Sequence, residues 1–197
     1  MKASLAFVFP GQGSQAVGML ADIGAAESIV LDTFAEASDA LGYDVWALSQ
    51  QGPAEVLNQT DKTQPAILTA SIALWRLWQA KSAGQPAYVA GHSLGEYSAL
   101  VAAQSLSLAD AVRLVERRGQ LMQEAVPAGT GGMAAILGLD DADVQAACAE
   151  AAQGVTDVVE CGPGKVLSGL NKRCIKGVNT YNLDSPEGFA AAVAAQL

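Results

Sequence analysis

The chain has 197 residues, of which 51% are hydrophobic and 16% are charged, and its formal net charge is −9. A chain of this length can bury one sizeable core, and the low charge content argues against intrinsic disorder. The negative charge makes nucleic acid and anionic membranes unfavourable partners. No apolar run is long enough to span a bilayer, and the run at 5–9 is too short for a signal-peptide core, so we expect a cytoplasmic protein.

Cysteines and histidines restrict the possible chemistry further. Cys148, Cys161 and Cys174 lack the C-x-x-C spacing of redox and metal motifs, so we expect reduced and mostly packed thiols. His92 is the single histidine of the chain, which excludes most multi-histidine metal sites. A site of that kind is therefore not expected.

Hydrophobic periodicity predicts strands and helices that alternate along the chain. Short apolar runs between turn formers indicate strands, and runs with a period of 3.6 residues indicate helices. This alternation is typical of an α/β fold with a mostly parallel sheet. The predicted strands are 4–9, 88–90 (expected to be buried), 133–137, 156–160 and 178–182, and the predicted helices are 29–41, 64–81, 95–103, 107–124, 141–152, 165–173 and one that opens at Ser185.

Capping residues indicate where three of these helices begin. Thr63 is the expected N-cap of the helix 64–81, with Pro65 in its first turn. Ser107 is expected to cap the helix 107–124. Ser185 followed by Pro186 opens the terminal helix.

The pentapeptide Gly91-His92-Ser93-Leu94-Gly95 matches the G-x-S-x-G nucleophile elbow, in which a sharp turn between a strand and a helix exposes a serine oxygen. The predicted strand before it and the predicted helix after it are the context that the motif requires. A chance match in a glycine-rich chain is the alternative, and the context favours function over chance. Ser93 is the candidate nucleophile, and the Leu94 N–H is a candidate oxyanion donor at the helix N-terminus.

A second oxyanion donor is expected from another loop. The turn Gly11-Gln12-Gly13 after the first strand is the natural supplier, through the Gln12 N–H. A plain strand-to-helix turn explains the same residues equally well, so both interpretations stay open.

The helix 107–124 carries one charge on its apolar side. The apolar stripe is made by Ala111, Leu114, Val115, Leu121 and Met122, and the polar face by Arg113, Arg117, Gln120 and Glu124. Arg118 falls in the apolar stripe, where a guanidinium needs an anionic partner. That partner is either a carboxylate of the protein or the free carboxylate of a substrate held by the guanidinium fork.

Four of the eleven basic residues lie close together in this acidic chain. They form either a docking patch for an acidic partner or an ordinary solvated face. These residues are Lys165, Lys172, Arg173 and Lys176.

Three blocks of sequence carry a family resemblance. They are Phe7-Val8-Phe9-Pro10-Gly11-Gln12-Gly13-Ser14-Gln15, Gly91-His92-Ser93-Leu94-Gly95-Glu96-Tyr97-Ser98-Ala99 and Gly162-Pro163-Gly164-Lys165-Val166-Leu167. Together they resemble the bacterial malonyl-CoA:acyl-carrier-protein transacylases of fatty acid biosynthesis. The resemblance implies an α/β fold with a parallel-sheet, α/β-hydrolase-like acyltransferase core at 1–128 and 155–197. It leaves 129–154 as a remnant, one β-α unit, of a ferredoxin-like small subdomain.

The resemblance also implies roles for the site residues. Ser93 would take malonyl from coenzyme A, Gln12 and Leu94 would form the oxyanion hole, and Arg118 would bind the malonyl carboxylate at a substrate site that includes His92. Malonyl would then pass to the phosphopantetheine thiol of an acyl carrier protein through an acyl-serine, by a ping-pong route. No metal or cofactor is needed for this chemistry.

One part of the family pattern is missing. The family carries roughly a hundred further residues, well over half a typical domain, between positions corresponding to Gly154 and Val155. They hold the histidine that deprotonates the serine and a glutamine that orients it; His92 directly precedes the nucleophile and does not correspond to that histidine. We expect activity reduced on the order of a thousandfold or more, with apolar surface and strand edges left uncovered.

Three functions follow from these observations. The first is a slow, Ser93-dependent acyltransferase, and the second is a non-catalytic core that binds malonyl-CoA and acyl carrier protein. The third is a serine esterase or thioesterase, which is the weakest because no histidine follows Ser93.

Overall fold

The computed structural model describes residues 5–82, 84–125, 155–174 and 177–195. It shows an α/β fold, as predicted, in which helices pack against a parallel sheet. None of the described helices is both long and apolar enough to cross a bilayer. The elements are β1 (Leu5–Phe9), α1 (Ala21–Ala26), α2 (Ser28–Leu41), α3 (Val45–Gln51), α4 (Ala54–Leu57), α5 (Thr60–Lys81), β2 (Tyr88–Gly91), α6 (Gly95–Ala102), α7 (Leu108–Ala125), β3 (Asp157–Glu160), α8 (Val166–Cys174), β4 (Asn179–Asn182) and α9 (Pro186–Ala194).

The sheet formed by the described residues has four strands in the order β2-β1-β3-β4, and all of their pairs are parallel. β1 is a central strand, and its alternate residues Leu5, Phe7 and Phe9 are buried. Phe7 packs edge-on against the rings of Trp75 and Trp78 on α5, with centroids 5.1 and 5.2 Å apart. Because parallel strands end at one edge of the sheet, the loops after β1, β2 and β3 meet there.

β2 is a strand, as predicted, but the prediction that it is buried is wrong. It pairs with β1 on one side only and forms an edge of the described sheet. The Tyr88 side chain is 58% exposed. An apolar run therefore identified the strand, whereas its position in the sheet depends on non-local pairing.

α5 begins at Thr60, four residues before the predicted start, so Thr63 is not its N-cap. Gln59 occupies the cap position without a side-chain cap hydrogen bond. Thr63 is buried instead, and its hydroxyl donates to the Leu57 carbonyl. Pro65 lies inside the helix, in its second turn rather than its first.

α7 begins as predicted, but its predicted apolar stripe is partly wrong. The Ser107 Oγ accepts a hydrogen bond from the Asp110 N–H at 3.1 Å, which confirms the cap. Its buried face is centred on Leu108, Val112 and Val115. Three residues of the predicted stripe are exposed instead: Leu114 (46%), Leu121 (49%) and Met122 (39%). The helix is thus apolar on more of its surface than the described part of the protein covers.

The last elements follow the predicted order. β3, α8 and β4 match the predictions at 156–160, 165–173 and 178–182 to within one or two residues. Ser185 caps α9 by accepting from the Gly188 N–H at 3.2 Å, and Pro186 opens the helix. The predicted subdomain remnant, with its strand 133–137 and helix 141–152, lies outside the described residues.

Candidate active site

The Ser93 elbow forms between β2 and α6, where the motif requires it. Ser93 has φ 54°, in the left-handed region that non-glycine residues rarely adopt. Such strain persists only where neighbouring structure holds it, and it clusters at functional sites. The turn lets Ser93 stand exposed beyond the strand end, with Leu94 buried beneath it.

The two motif glycines are required by close backbone contacts. A Cβ on Gly95 would overlap the carbonyl oxygen of Phe9 at the end of β1, and a Cβ on Gly91 would overlap the backbone of Gly95. The His92 N–H also donates to the Phe9 carbonyl at 3.0 Å. The elbow is therefore pressed directly against the central strand.

The loop after β1 meets the elbow on one side and the loop after β3 on the other. A Cβ on Gly11 would lie 2.8 Å from both the His92 carbonyl oxygen and its Nδ1, so the two turns touch. A Cβ on Gly162 would overlap the Pro10 ring. All three blocks that carry the family resemblance thus converge at one edge of the sheet.

The two candidate oxyanion donors lie in these touching turns. Gln12 follows Gly11 directly, and Leu94 follows the elbow serine. Within the described residues, neither N–H donates a hydrogen bond to a protein acceptor. The Gln12 side chain is fixed separately, since its Nε2 donates to the Thr60 Oγ1 at 3.2 Å.

Arg118 reaches the elbow from α7. Its Nη2 donates to the Ser93 Oγ at 3.1 Å and its Nη1 donates to the Gln64 Oε1 at 2.7 Å. The guanidinium carbon also lies 5.9 Å from the centre of the Tyr97 ring. Among the described residues, no carboxylate lies within 4.0 Å of the guanidinium nitrogens. The sequence left a protein carboxylate open as the partner, and none is found in the described part of the chain.

Two residues of this site had no predicted role. Gln64 is fully buried on α5, 54 positions before Arg118 in the chain. Tyr97 is half-buried on α6. Gln64 stands beside an apolar run and has no local signal of its own, so only the packing of α5 on α7 could reveal it.

His92 has no hydrogen bond to the Ser93 hydroxyl within the described structure, although the two residues are adjacent in sequence. Its ring lies against Gly11 instead. A general base must lie within hydrogen-bond reach of the proton that it takes. His92 is therefore placed beside the loop after β1 and not as the base of Ser93.

The structure describes the predicted docking patch only in part and Cys161 in full. Lys165 is exposed and its Nζ lies 3.9 Å from the Asp184 Oδ1. Lys176 and the side chains of Lys172 and Arg173 lie outside the described part, so the docking patch stays a prediction. Cys161 is confirmed as a packed thiol that donates to the Ser71 carbonyl, and burial raises its pKa well above the ordinary value.

An exposed serine held on a strained strand-to-helix turn is the arrangement used for acyl transfer through a covalent serine ester. Residues 6–180 match the acyl transferase domain family. The chain belongs to this family.

Within the family, the chain is similar to malonyl-CoA-acyl carrier protein transacylases. It is 63% identical to one from Salmonella typhimurium over 173 residues, 87% of this chain and 56% of the relative. A solved structure of such a transacylase from Xanthomonas oryzae pv. oryzae aligns with a TM-score of 0.89 and 36% identity, over 99% of both chains. A chain from a solved complex also aligns, with a TM-score of 0.88 and 34% identity, over 98% of this chain and 100% of the matched chain. That complex contains a type II polyketide-synthase acyl-carrier protein and its malonyl-transacylase.

The chain spans about half the length of the curated relatives that it matches, 56% for the Salmonella typhimurium protein and 51% for one from Bacillus subtilis. The predicted position of the missing segment, between Gly154 and Val155, stays a prediction.

Proposed function

We propose that this chain transfers malonyl from coenzyme A through a Ser93 ester to the phosphopantetheine thiol of an acyl carrier protein. The observation that carries the proposal is the contact of Arg118 with Ser93. It places a cation without a described acidic partner 3.1 Å from the nucleophile. A malonyl group has a carboxylate a few atoms from its thioester carbonyl, so one guanidinium at that distance can hold the acyl group in place for attack.

The remaining groups follow from the same geometry. The Ser93 oxygen bonds to the thioester carbon, and the C–S bond breaks as coenzyme A leaves with the serine proton. The N–H groups of Gln12 and Leu94 receive the developing oxyanion, and His92 lines the acyl site. The carrier thiol then reverses the step, taking malonyl and returning the proton to Ser93. In the solved complex named above, a carrier protein is bound by its malonyl-transacylase, which supports the partner class.

The rate is expected to be low. No histidine other than His92 is present in the 197 residues, and a serine without its base loses on the order of a thousandfold or more in kcat. A non-catalytic core that binds malonyl-CoA and carrier is therefore the second candidate. An esterase is less favoured, because the Arg118 guanidinium selects an anionic acyl group. The cytoplasmic location stays a prediction.

Intact mass after incubation with malonyl-CoA tests the proposal. A malonyl adduct that is absent in Ser93→Ala supports transfer through the serine. If the folded chain stays unmodified but binds malonyl-CoA in both forms, the binding core is correct and the transferase is not.

Acyl specificity is tested by the same method. Arg118→Ala should remove the preference for malonyl-CoA over acetyl-CoA, because only the malonyl group carries a free carboxylate. An unchanged preference would exclude Arg118 as the residue that recognises it. Arg117→Ala is the matched control, since Arg117 lies on the exposed side of α7 and contacts Gln120 and Glu124.

A further inference from the structure

The buried partner of Arg118 is a neutral amide. Gln64 is completely buried on α5, and its Oε1 accepts from the Arg118 Nη1 at 2.7 Å. A guanidinium that is partly buried, as Arg118 is, is usually neutralised by a carboxylate, since an unpaired charge is costly to remove from water. Here the Gln64 amide accepts a hydrogen bond from one nitrogen of the Arg118 guanidinium and does not neutralise its positive charge.

The orientation of the Gln64 amide is fixed from its other end. Its Nε2 donates to the Met122 sulfur at 3.5 Å, so the oxygen is the atom that faces Arg118. An amide turned the other way would present N–H groups to a guanidinium that has only donors. Met122 and Arg118 lie four residues apart on α7, so a single amide contacts one face of that helix at two points.

The approach of α7 to α5 makes this contact possible. A Cβ on Gly119 would lie 2.7 Å from the Asp61 N and the Thr60 carbonyl oxygen at the start of α5. Gly119 is the residue directly after Arg118, so the close approach brings the guanidinium to the buried amide one turn further along α5. The second arm, Nη2, is left to reach the Ser93 Oγ at 3.1 Å.

We propose that Gln64 is a positioning and specificity-determining residue: its neutral side chain holds the Arg118 fork beside Ser93 while leaving the positive charge available to an anionic acyl group. The proposal rests on the proposed function for the identity of that acyl group. A carboxylate at position 64 would pair with Arg118 and compete with the carboxylate of the acyl group. An apolar residue of the same size would release one arm of the fork.

Equilibrium binding separates specificity from folding. In a Ser93→Ala background, which prevents acyl transfer, the affinities for malonyl-CoA and acetyl-CoA are measured by calorimetry. Gln64→Glu should lower the malonyl preference about ten- to hundredfold, the range of a hydrogen-bonded charge, with little change for acetyl-CoA. Gln64→Met should lower it less. Gln79→Glu, the same change at an exposed position of α5, should leave the preference as it was.

A purely structural role for Gln64 would lower both affinities in parallel, and that result overturns the proposal. So does a malonyl preference that survives Gln64→Glu. If Gln64→Glu does not fold, as judged by circular dichroism, Gln64→Met decides, and an unchanged preference in that variant overturns the proposal as well.

A second readout needs no malonyl group, so it distinguishes the failure of the proposed function from the failure of this inference. Phenylmethylsulfonyl fluoride sulfonylates a serine hydroxyl with loss of fluoride and the serine proton, and intact mass follows its rate at Ser93. Arg118→Ala should change this rate, Gln64→Met should change it in the same direction, and the double variant should add nothing further. Additive effects, or a parental rate in Gln64→Met, would show that Gln64 does not act through Arg118.

Discussion

Two regions of the molecule differ in how completely the described residues cover them. One is the set of loops at the carboxyl end of the sheet, and the other is the outward side of α7. At that end of the sheet, Gly95 at the start of α6 and Gly162 in the loop after β3 approach neighbouring atoms so closely that a single added carbon would overlap them. On α7, Leu114 and Leu121 expose nearly half of their surface. The edge of the sheet that carries the candidate site is therefore closely packed within the described core, whereas α7 has apolar surface that this core does not cover.

This difference separates two parts of the described structure. A chain that spans about half of its relatives' length brings Ser93, the turns with the oxyanion candidates and Arg118 together, because these residues lie in the turns after β1 and β2 and on α7. The described residues do not cover the outward apolar side of α7. We still predict that the missing segment covers it.

The largest effect is expected at the elbow. Gly95→Ala should destabilise the protein by about 3 kcal/mol or more, because the new Cβ overlaps a backbone carbonyl that cannot move aside. Urea unfolding followed by circular dichroism measures it. Gly169→Ala on α8 is the matched control, since no atom lies within 4 Å of its added Cβ, and it should stabilise by about 0.5–1 kcal/mol. Equal effects would show that the close packing at the elbow is not real.

A smaller loss of stability is expected at the contact between β3 and α8. The fully buried Glu160 carboxylate accepts from the N–H groups of Leu167 (3.1 Å) and Ser168 (2.7 Å) at the start of the helix. Glu160→Ala leaves both donors without an acceptor and should cost about 1–3 kcal/mol in the same unfolding experiment. Glu187→Ala, at an exposed carboxylate in the first turn of α9, should change stability by less than about 0.5 kcal/mol. A Glu160→Ala protein as stable as this control would contradict the assignment.

The uncovered side of α7 should tolerate a charge. Leu121→Glu should change the free energy of unfolding by less than about 0.5 kcal/mol and reduce self-association, which sedimentation velocity measures, because exposed apolar side chains favour association. Val115→Glu, on the fully buried side of the same helix, should unfold the protein or destabilise it severely. If Leu121→Glu is equally damaging, some part of the protein covers Leu121 in solution.

The smallest effect concerns Asp184, at the edge of the loop cluster. Its pKa is raised, chiefly by burial and also by Glu160, while Lys165 opposes the shift. A raised carboxyl pKa means that the ionised form is less stable in the folded than in the unfolded protein, so this cost appears as pH rises above the unfolded pKa. Asp184→Asn should therefore be slightly stabilising at pH 7, and the gain should vanish below the ordinary pKa of aspartate. Urea midpoints across pH test this, with the exposed Asp39→Asn as control; a gain that grows on acidification would reverse the sign.

Local signals predicted the parts of the site that lie in one stretch of chain. The elbow follows from five consecutive residues and the strand and helix around them, and the Ser107 cap from its position before a periodic run. Arg118 was found because it interrupts an apolar stripe. Thr63 was misassigned as a cap because the helix begins one turn earlier, after Gln59, which makes no side-chain cap hydrogen bond. A capping preference does not identify such a start.

The sequence by itself determined the order of the described elements and singled out Ser93 and Arg118 as candidate site residues, because these inferences depend on periodicity and on motifs of a few residues. Only the tertiary structure decided that β2 lies at the sheet edge, that Leu121 faces outward, and that Gln64 is the partner of Arg118. The physical reason is that periodicity shows which side of an element is apolar, whereas the residues that cover that side are far away in the chain. Gln64 and Arg118, for example, are separated by 54 positions. They meet because Gly119 allows α5 and α7 to approach closely.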